Sequence, residues 1–217
     1  MKKQIRSGCI GAGLLFLFVL WTVALCFVDV KAIGPNSSKV GFATVNAFIH
    51  NVTGVHLPLY TLTDWLGLVP ICLMFGFAVL GLLQWIKRKS LQKVDRSLLL
   101  LGGFYVVVTA VYLLFESFVV NYRPILINGR LEASYPSSTT MLVLCVMPTA
   151  LMQFNERIQN AKYRQVTKFA VIVFTVFMVT GRLLSGVHWF SDIIGGTLLS
   201  GGFVTLYHSF KNKVARN

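Results

Sequence analysis

Residues 181–192 read Gly-Arg-Leu-Leu-Ser-Gly-Val-His-Trp-Phe-Ser-Asp and lie between two long apolar runs. Arg182, His188 and Asp192 therefore sit where a membrane protein can least tolerate idle charge. His188 and Asp192 are four residues apart, which on a helix puts them on one face, one turn from each other. A carboxylate so placed can hold one imidazole nitrogen and fix the tautomer, leaving the other nitrogen free to attack. If a helix begins near Gly186, His188 falls in its first turn, where the positive dipole end favours neutral imidazole and a bound phosphate. Arg182, just before that break, can clamp an oxyanion with its planar fork. The plainer alternative is a charged loop between two spans.

Outward from this stretch, the apolar residues come in runs of about 20, the length that crosses a hydrocarbon core. With 55% hydrophobic and 12% charged residues, the 217-residue chain reads as an all-α integral membrane protein. The expected architecture is six transmembrane helices in a bundle, at about 8–28, 64–86, 97–118, 136–154, 166–184 and 188–210, in one domain over 1–217. A short interfacial helix is expected in the first outer loop, capped by Ser38, with Phe42, Val45 and Ile49 on one face. The first run is too long for the core of a cleaved signal peptide and reads as a retained span. Trp65 anchors the start of the second span and Pro70 fits its early turns.

The net charge of +13 would suit nucleic acid if it formed one patch. It does not. Of 20 Lys and Arg, 15 fall in four groups at alternate ends of the apolar runs. They are Lys2, Lys3 and Arg6; Lys87, Arg88, Lys89, Lys93 and Arg96; Arg157, Lys162, Arg164 and Lys168; and Lys211, Lys213 and Arg216. This is the positive-inside pattern of a multi-pass protein of the cell membrane, with both termini and the loops 87–96 and 155–165 cytoplasmic. Its partners are membrane lipids, not nucleic acid. Lys31, Lys39, Arg123, Arg130 and Arg182 fall on the outer side. Cys9, Cys26, Cys72 and Cys145 lie in apolar runs without metal-ligand spacing and read as small hydrophobes, with a Cys26–Cys72 pair open as an alternative. Asn36-Ser37-Ser38 and Asn51-Val52-Thr53 are formal glycosylation sequons, relevant only in a eukaryotic secretory pathway. Gly195, Gly196, Ser200, Gly201 and Gly202 suit close helix packing.

This topology brings three polar segments to the outer face. Arg123-Pro124 follows the third span, Pro136-Ser137-Ser138-Thr139 opens the fourth, and residues 181–192 bridge the last two. Pro and small hydroxyls at a helix start leave backbone N–H groups free for phosphate. The two arginines, that helix start and the His–Asp pair together describe a phosphate-handling site; ordinary capping with interfacial arginines is the competing account.

The same residues resemble the type 2 phosphatidic acid phosphatase superfamily, the lipid phosphate phosphatase and haloperoxidase group, whose motifs read KxxxxxxRP, PSGH and SRxxxxxHxxxD. Here they read ExxxxxxRP over 116–124, PSST over 136–139 and GRxxxxxHxxxD over 181–192. The resemblance implies that His188 attacks phosphorus to form a phosphohistidine and that Asp192 orients it. It also implies that Arg123 and Arg182 bind phosphate with Ser137, Ser138, Thr139 and nearby amides. It implies no metal and no cofactor, and a lipid phosphate or diphosphate substrate at the outer leaflet.

The departures carry their own expectation. Thr139 replaces the histidine that protonates the leaving group, and Glu116 reverses the charge of the first-motif lysine. A positioned general acid contributes about 10²–10⁴-fold, so alkyl phosphate esters should turn over slowly unless another group supplies the proton. Glu116, His50 and His56 are candidates on the outer side, while His208 lies at the inner end. The implied activity is a metal-independent phosphatase, with polyprenyl diphosphate as the expected preference. The alternatives are a catalytically impaired lipid-phosphate-binding member of the same fold and a phosphotransferase.

The charge pattern makes a topological prediction. In a background without native cysteines, an impermeant thiol reagent applied outside should label Arg130→Cys and spare Asn160→Cys. The reverse labelling would overturn the orientation.

Overall fold

The computed structural model describes residues 2–214, with side chains described for 6–213, so the side chains of Lys2 and Lys3, and Arg216, lie outside the described residues. Eight α-helices follow in order: α1 Lys2–Phe27, α2 Ala43–Thr53, α3 Leu57–Leu66, α4 Leu68–Arg88, α5 Arg96–Ser117, α6 Ser138–Arg157, α7 Ala161–Leu184 and α8 Phe190–Val214. Among the described residues, strand-like pairing is limited to isolated bridges.

The bundle has a centre and a periphery. α8 packs on α1, α2, α5, α6 and α7, and α6 packs on α4, α5, α7 and α8. Close approach of α1 and α8 depends on small residues. A Cβ at Gly202 would stand 2.6 Å from Leu15, and one at Gly11 would stand 2.8 Å from Leu206. Four segments are long and apolar enough to cross a membrane: α1 from Arg6, α3 with α4 as Leu57–Arg88, α5, and α7. They turn Phe16, Phe75, Val106 and Phe169 outward, as lipid contact requires.

α6 and α8 fall short of that apolarity because their neighbours are protein. α6 buries Thr140, Thr149 and Gln153 among its apolar residues. The Thr149 hydroxyl pairs with Tyr105 Oη at 3.2 Å, and the Gln153 amide donates to Tyr207 Oη at 3.2 Å. A central helix can carry polar groups when its neighbours satisfy them.

At one end of the bundle the basic groups are held together by a few acids. Arg88 and Arg157 reach Asp95 at 3.1 and 3.7 Å, and Lys211 reaches Glu156 at 2.7 Å. The Gln84 amide, with the Arg88 guanidinium behind it, holds the Asp95 carboxyl below the usual carboxylate range. The ends of α4, α6 and α8 therefore share one face of the molecule, opposite residues 181–192.

Several boundaries differ from the sequence expectation. The helix of the first outer loop starts at Ala43, and Ser38 instead closes a short 3-10 turn over Pro35–Ser37. Asp29 caps α2: its Oδ2 accepts from the Thr44 amide at 2.6 Å, and its carbonyl accepts from the Ala43 amide at 2.9 Å. Lys31, with the Thr44 amide, brings the Asp29 carboxyl down to about 2. Val45 points outward while Asn46 is buried, because α2 leans on the start of α8 and not on an apolar stripe. The second apolar run is helical from Leu57, with a break at Gly67 between α3 and α4. α6 begins at Ser138, and α8 begins at Phe190, leaving His188 in the preceding loop. Cys26 and Cys72 are both free thiols.

Gly186 sets the α7–α8 loop. Its φ is +69°, and a Cβ there would fall 2.1 Å from the Gly54 carbonyl oxygen. Left-handed backbone alone costs a non-glycine residue on the order of 1–3 kcal/mol. Gly186→Ala should therefore lower the thermal unfolding midpoint of the detergent-solubilised protein by several degrees or abolish folded yield. An unchanged midpoint would contradict this account of the loop.

Candidate functional site

The end of the bundle opposite Asp95 is built on the loop between α7 and α8. Arg182 occupies the last turn of α7 and is buried. Its Nη1 donates toward Thr63 Oγ1 at 3.4 Å, lies 3.6 Å from Asp64 Oδ1, and its guanidinium carbon sits 5.0 Å from the centre of the Tyr60 ring. All three partners come from α3. The chain then turns at Gly186 and presents His188, which is buried, two residues before α8.

The residues between α5 and α6 deliver the other face. They fold as a hairpin whose tight end is the Ile127↔Arg130 bridge around Asn128-Gly129, with φ of +50° and +74°. That dipeptide is a strong hairpin signal, the local cue that could have found this element, which the sequence reading passed over. The Arg123 amide donates to the Glu132 carbonyl at 3.0 Å and the Ser134 amide to the Asn121 carbonyl at 2.9 Å. This register sets Arg123 and Ser134 at the base of the hairpin, against His188.

His188 is gripped at both nitrogens. Nδ1 lies 3.2 Å from the Ser134 carbonyl, an acceptor only, so Nδ1 carries the proton. Nε2 then keeps its lone pair, and Arg123 Nη1 donates toward it at 3.4 Å. Asp192 Oδ2 is 3.7 Å from Nδ1, beyond hydrogen-bond reach, and instead accepts from the Trp189 amide at 2.9 Å. The expected His–Asp hydrogen bond is thus replaced by a carbonyl contact. The cause is the start of α8: Asp192 is in position to cap it in the manner of a capping box. Asn46 of α2 caps the same helix, its Oδ1 accepting from the Ser191 amide at 3.0 Å.

Ser137 is buried at the N-cap of α6, and its amide donates to the Asp192 carbonyl at 3.1 Å. Ser138 and Thr139 follow in the first turn, half-buried. The segments carrying Arg123, Ser137, Arg182, His188 and Asp192 therefore meet at one end of the bundle. Glu116 does not join Arg123. It lies exposed near the end of α5, beside a cavity lined by Tyr112, Ser134, Tyr135 and Ser138. The carboxylate at Arg123 is Glu132, whose Oε2 lies 3.1 Å from Nε as an ion pair without hydrogen-bond alignment. His50 Nε2 contacts the Gly186 carbonyl at 3.1 Å, and His56 Nε2 contacts that of Thr53 at 2.9 Å, so each ring is engaged with backbone. His208 contacts Asn212 toward the other end of α8.

Among the buried side-chain polar atoms of this end, the Ser134 hydroxyl and the Asn121 amide are hydrogen-bonded to the Asp192 carboxylate and Arg123 Nε is ion-paired with Glu132, which leaves Ser137 Oγ, Thr140 Oγ1 and Arg182 Nε without a hydrogen-bond partner among the described residues. All three can donate. Native interiors hold few such groups, and each calls for a partner such as a water or an ion. Two guanidinium groups, several hydroxyls and a lone-pair-bearing imidazole suit an oxyanion and a nucleophilic attack on it. Tyr60, Thr63, Asp64, Glu132 and Ser134 were missed in the sequence, since no local motif marks them.

Asp192 makes a separable prediction. Asp192→Asn keeps an oxygen for the Trp189 amide and should cost less than Asp192→Ala, which strands that amide together with the Ser134 and Asn121 side-chain donors and should cost about 1–3 kcal/mol or more. Chemical unfolding of the two variants in detergent checks this, and equal losses would refute it.

The chain was compared with known proteins. Residues 114–216 match the family model described as the PAP2 superfamily. In fold the chain is similar to a solved structure described as the first transmembrane PAP2 type phosphatidylglycerolphosphate phosphatase from Bacillus subtilis. The TM-score is 0.60 at 18% identity, over 94% of this chain and 96% of that one. No curated protein matches the chain in sequence.

Proposed function

We propose, from the match of residues 114–216 to the PAP2 superfamily model, that the chain belongs to that superfamily and is a membrane phosphatase of lipid phosphates or diphosphates. The Bacillus subtilis protein of like fold is a phosphatidylglycerolphosphate phosphatase, which supports a lipid phosphate as the substrate class. The observation that carries the reading is two buried guanidinium groups, Arg123 and Arg182, at the same end as a histidine whose Nε2 keeps its lone pair. α1, α3 with α4, α5, α6, α7 and α8 are read as six spans of one domain. The distribution of Lys and Arg supports an outward-facing site.

In this mechanism Nε2 of His188 attacks phosphorus and the bond from phosphorus to the leaving oxygen breaks. Nδ1–H stays on the Ser134 carbonyl, which steadies the cationic ring of the phosphohistidine. Asp192 Oδ2, 3.7 Å from Nδ1, lies beside the same ring. Arg123 leaves Nε2 for a phosphate oxygen, and Arg182 takes another, so charge developing on phosphorus oxygens meets preorganised donors. Water then adds to phosphorus and the N–P bond breaks, its electron pair returning to Nε2, so that His188 is neutral again and H2PO4⁻ departs with both hydrogens of that water. His188→Ala should abolish turnover in a phosphate-release assay; parent-like turnover would sink the mechanism.

The leaving group decides the substrate. An alkoxide needs a proton, since its alcohol has a pKa of about 15, near that of water. A phosphate monoester leaving from a diphosphate does not, since its second pKa is about 6. With Thr139 where the family carries an acid, a diphosphate such as a polyprenyl diphosphate is the favoured substrate. The same Thr139 supports a second reading, a member that binds lipid phosphates without hydrolysing them. Matched mono- and diphosphate lipids separate these: kcat/KM of the parent should favour the diphosphate, and Thr139→His should raise the monophosphate rate more, by up to about 10²-fold. Equal parent rates would refute the preference, and binding without phosphate release on either lipid would establish the second reading.

A further inference from the structure

Arg123 and Arg182 reach the site from different parts of the chain, the hairpin after α5 and the last turn of α7, yet both face one aromatic ring. The Arg182 and Arg123 guanidinium carbons lie 5.0 and 6.0 Å from the centre of the Tyr60 ring. Tyr60 belongs to α3, outside the residues that match the family model. The positive charge of Arg123 acts unfavourably on Arg182, which is buried beside only one carboxylate, the exposed Asp64. Like charges held at one end of the bundle repel unless something offsets them.

An aromatic face suits that task better than a further carboxylate would. Its negative quadrupole attracts both cations but accepts no in-plane N–H bond, so the guanidinium forks stay available to an oxyanion. A carboxylate would occupy those donors and oppose a phosphate. The ring also has a firm mount. The His56 amide donates to the Ser185 carbonyl at 3.0 Å, tying the start of α3 to the α7–α8 loop. Thr63, on the next turn of α3, packs so closely on Gly181 that a Cβ there would stand 2.8 Å from its methyl.

We infer that Tyr60 is the positioning residue of the oxyanion site, its ring holding Arg123 and Arg182 side by side with their N–H groups free for phosphate. The inference deepens the phosphate reading above and rests on it. It implies that the first outer segment, which carries none of the family motifs, completes the site.

The test reads oxyanion binding directly, without relying on turnover. Purified full-length protein in detergent is titrated calorimetrically with inorganic orthovanadate, a phosphate mimic. The series is the parent, Tyr60→Phe, Tyr60→Phe bearing two and then three ring fluorines, Tyr60→Leu, and Arg182→Gln as a site control. Fluorines withdraw charge from the ring face while nearly keeping its shape, so these variants should fold even if Tyr60→Leu does not. Tyr60→Phe should bind within about twofold of the parent, the fluorinated forms should weaken stepwise, and Tyr60→Leu should weaken about tenfold. A merely structural ring would not respond to fluorination. Parent-like binding across the fluorine series, with binding lost in Arg182→Gln, would overturn the inference alone. No orthovanadate binding by the parent would overturn it together with the phosphate reading.

Discussion

A guanidinium taken out of water must be given partners, and Arg182 at the end of α7 imposes that requirement on the site end of the bundle. Its side chain is 2% exposed, yet the nearest groups are one hydroxyl, one carboxylate and one aromatic ring, all on α3. This explains why α3 is a separate helix at all. Gly67 breaks the apolar segment so that Leu57–Leu66 can lean across α7 before α4 sets off on its own path. Without α3 the buried charge would have no counterpart, and Arg123 and Arg182 would share no aromatic ring.

The start of α8 is the second organising point, for a different physical reason. The free amides of a helix N-terminus need acceptors when the end is buried. Asp192 and Asn46 supply them at Trp189 and Ser191. The nearby carbonyls are used as well: Trp21 of α1 donates to that of Ser191 at 3.1 Å, and Ser137 donates to that of Asp192 at 3.1 Å. Trp189 in turn donates to the Tyr122 carbonyl at 2.8 Å. One helix end thus gathers α1, α2, the hairpin and α6, and His188 is held beside it. The aspartate that spacing pairs with the histidine is engaged in this junction, and a backbone carbonyl takes over the imidazole proton.

How much of this was legible depends on whether the cause was local. The long apolar runs announced the helices α1, α4, α5 and α7, because lipid demands apolar side chains on every exposed turn. The motifs over 116–124, 136–139 and 181–192 announced Arg123, Arg182, His188 and Asp192, because each combines unusual residue types with fixed spacing. The α2 boundary was misread because its cap, Asp29, and its buried contact, Asn46, act through distant partners. The start of α8 was misread for the same reason: Gly186 turns the chain against Gly54, which no local pattern reveals.

The amino-acid sequence by itself determined that the chain is helical, that its charges segregate to alternate ends of the apolar runs, and which arginines and histidine converge. Those properties follow from hydropathy, period and residue chemistry, all of which act over neighbouring positions. Only the tertiary structure decided that Ser134 orients His188, that Glu132 meets Arg123 where Glu116 does not, and that Tyr60, Thr63 and Asp64 surround Arg182. Each of these is a contact between groups of ordinary type at long separation. Such contacts carry no local signature, because their energy depends on which groups the packed helices bring within a few ångströms of one another.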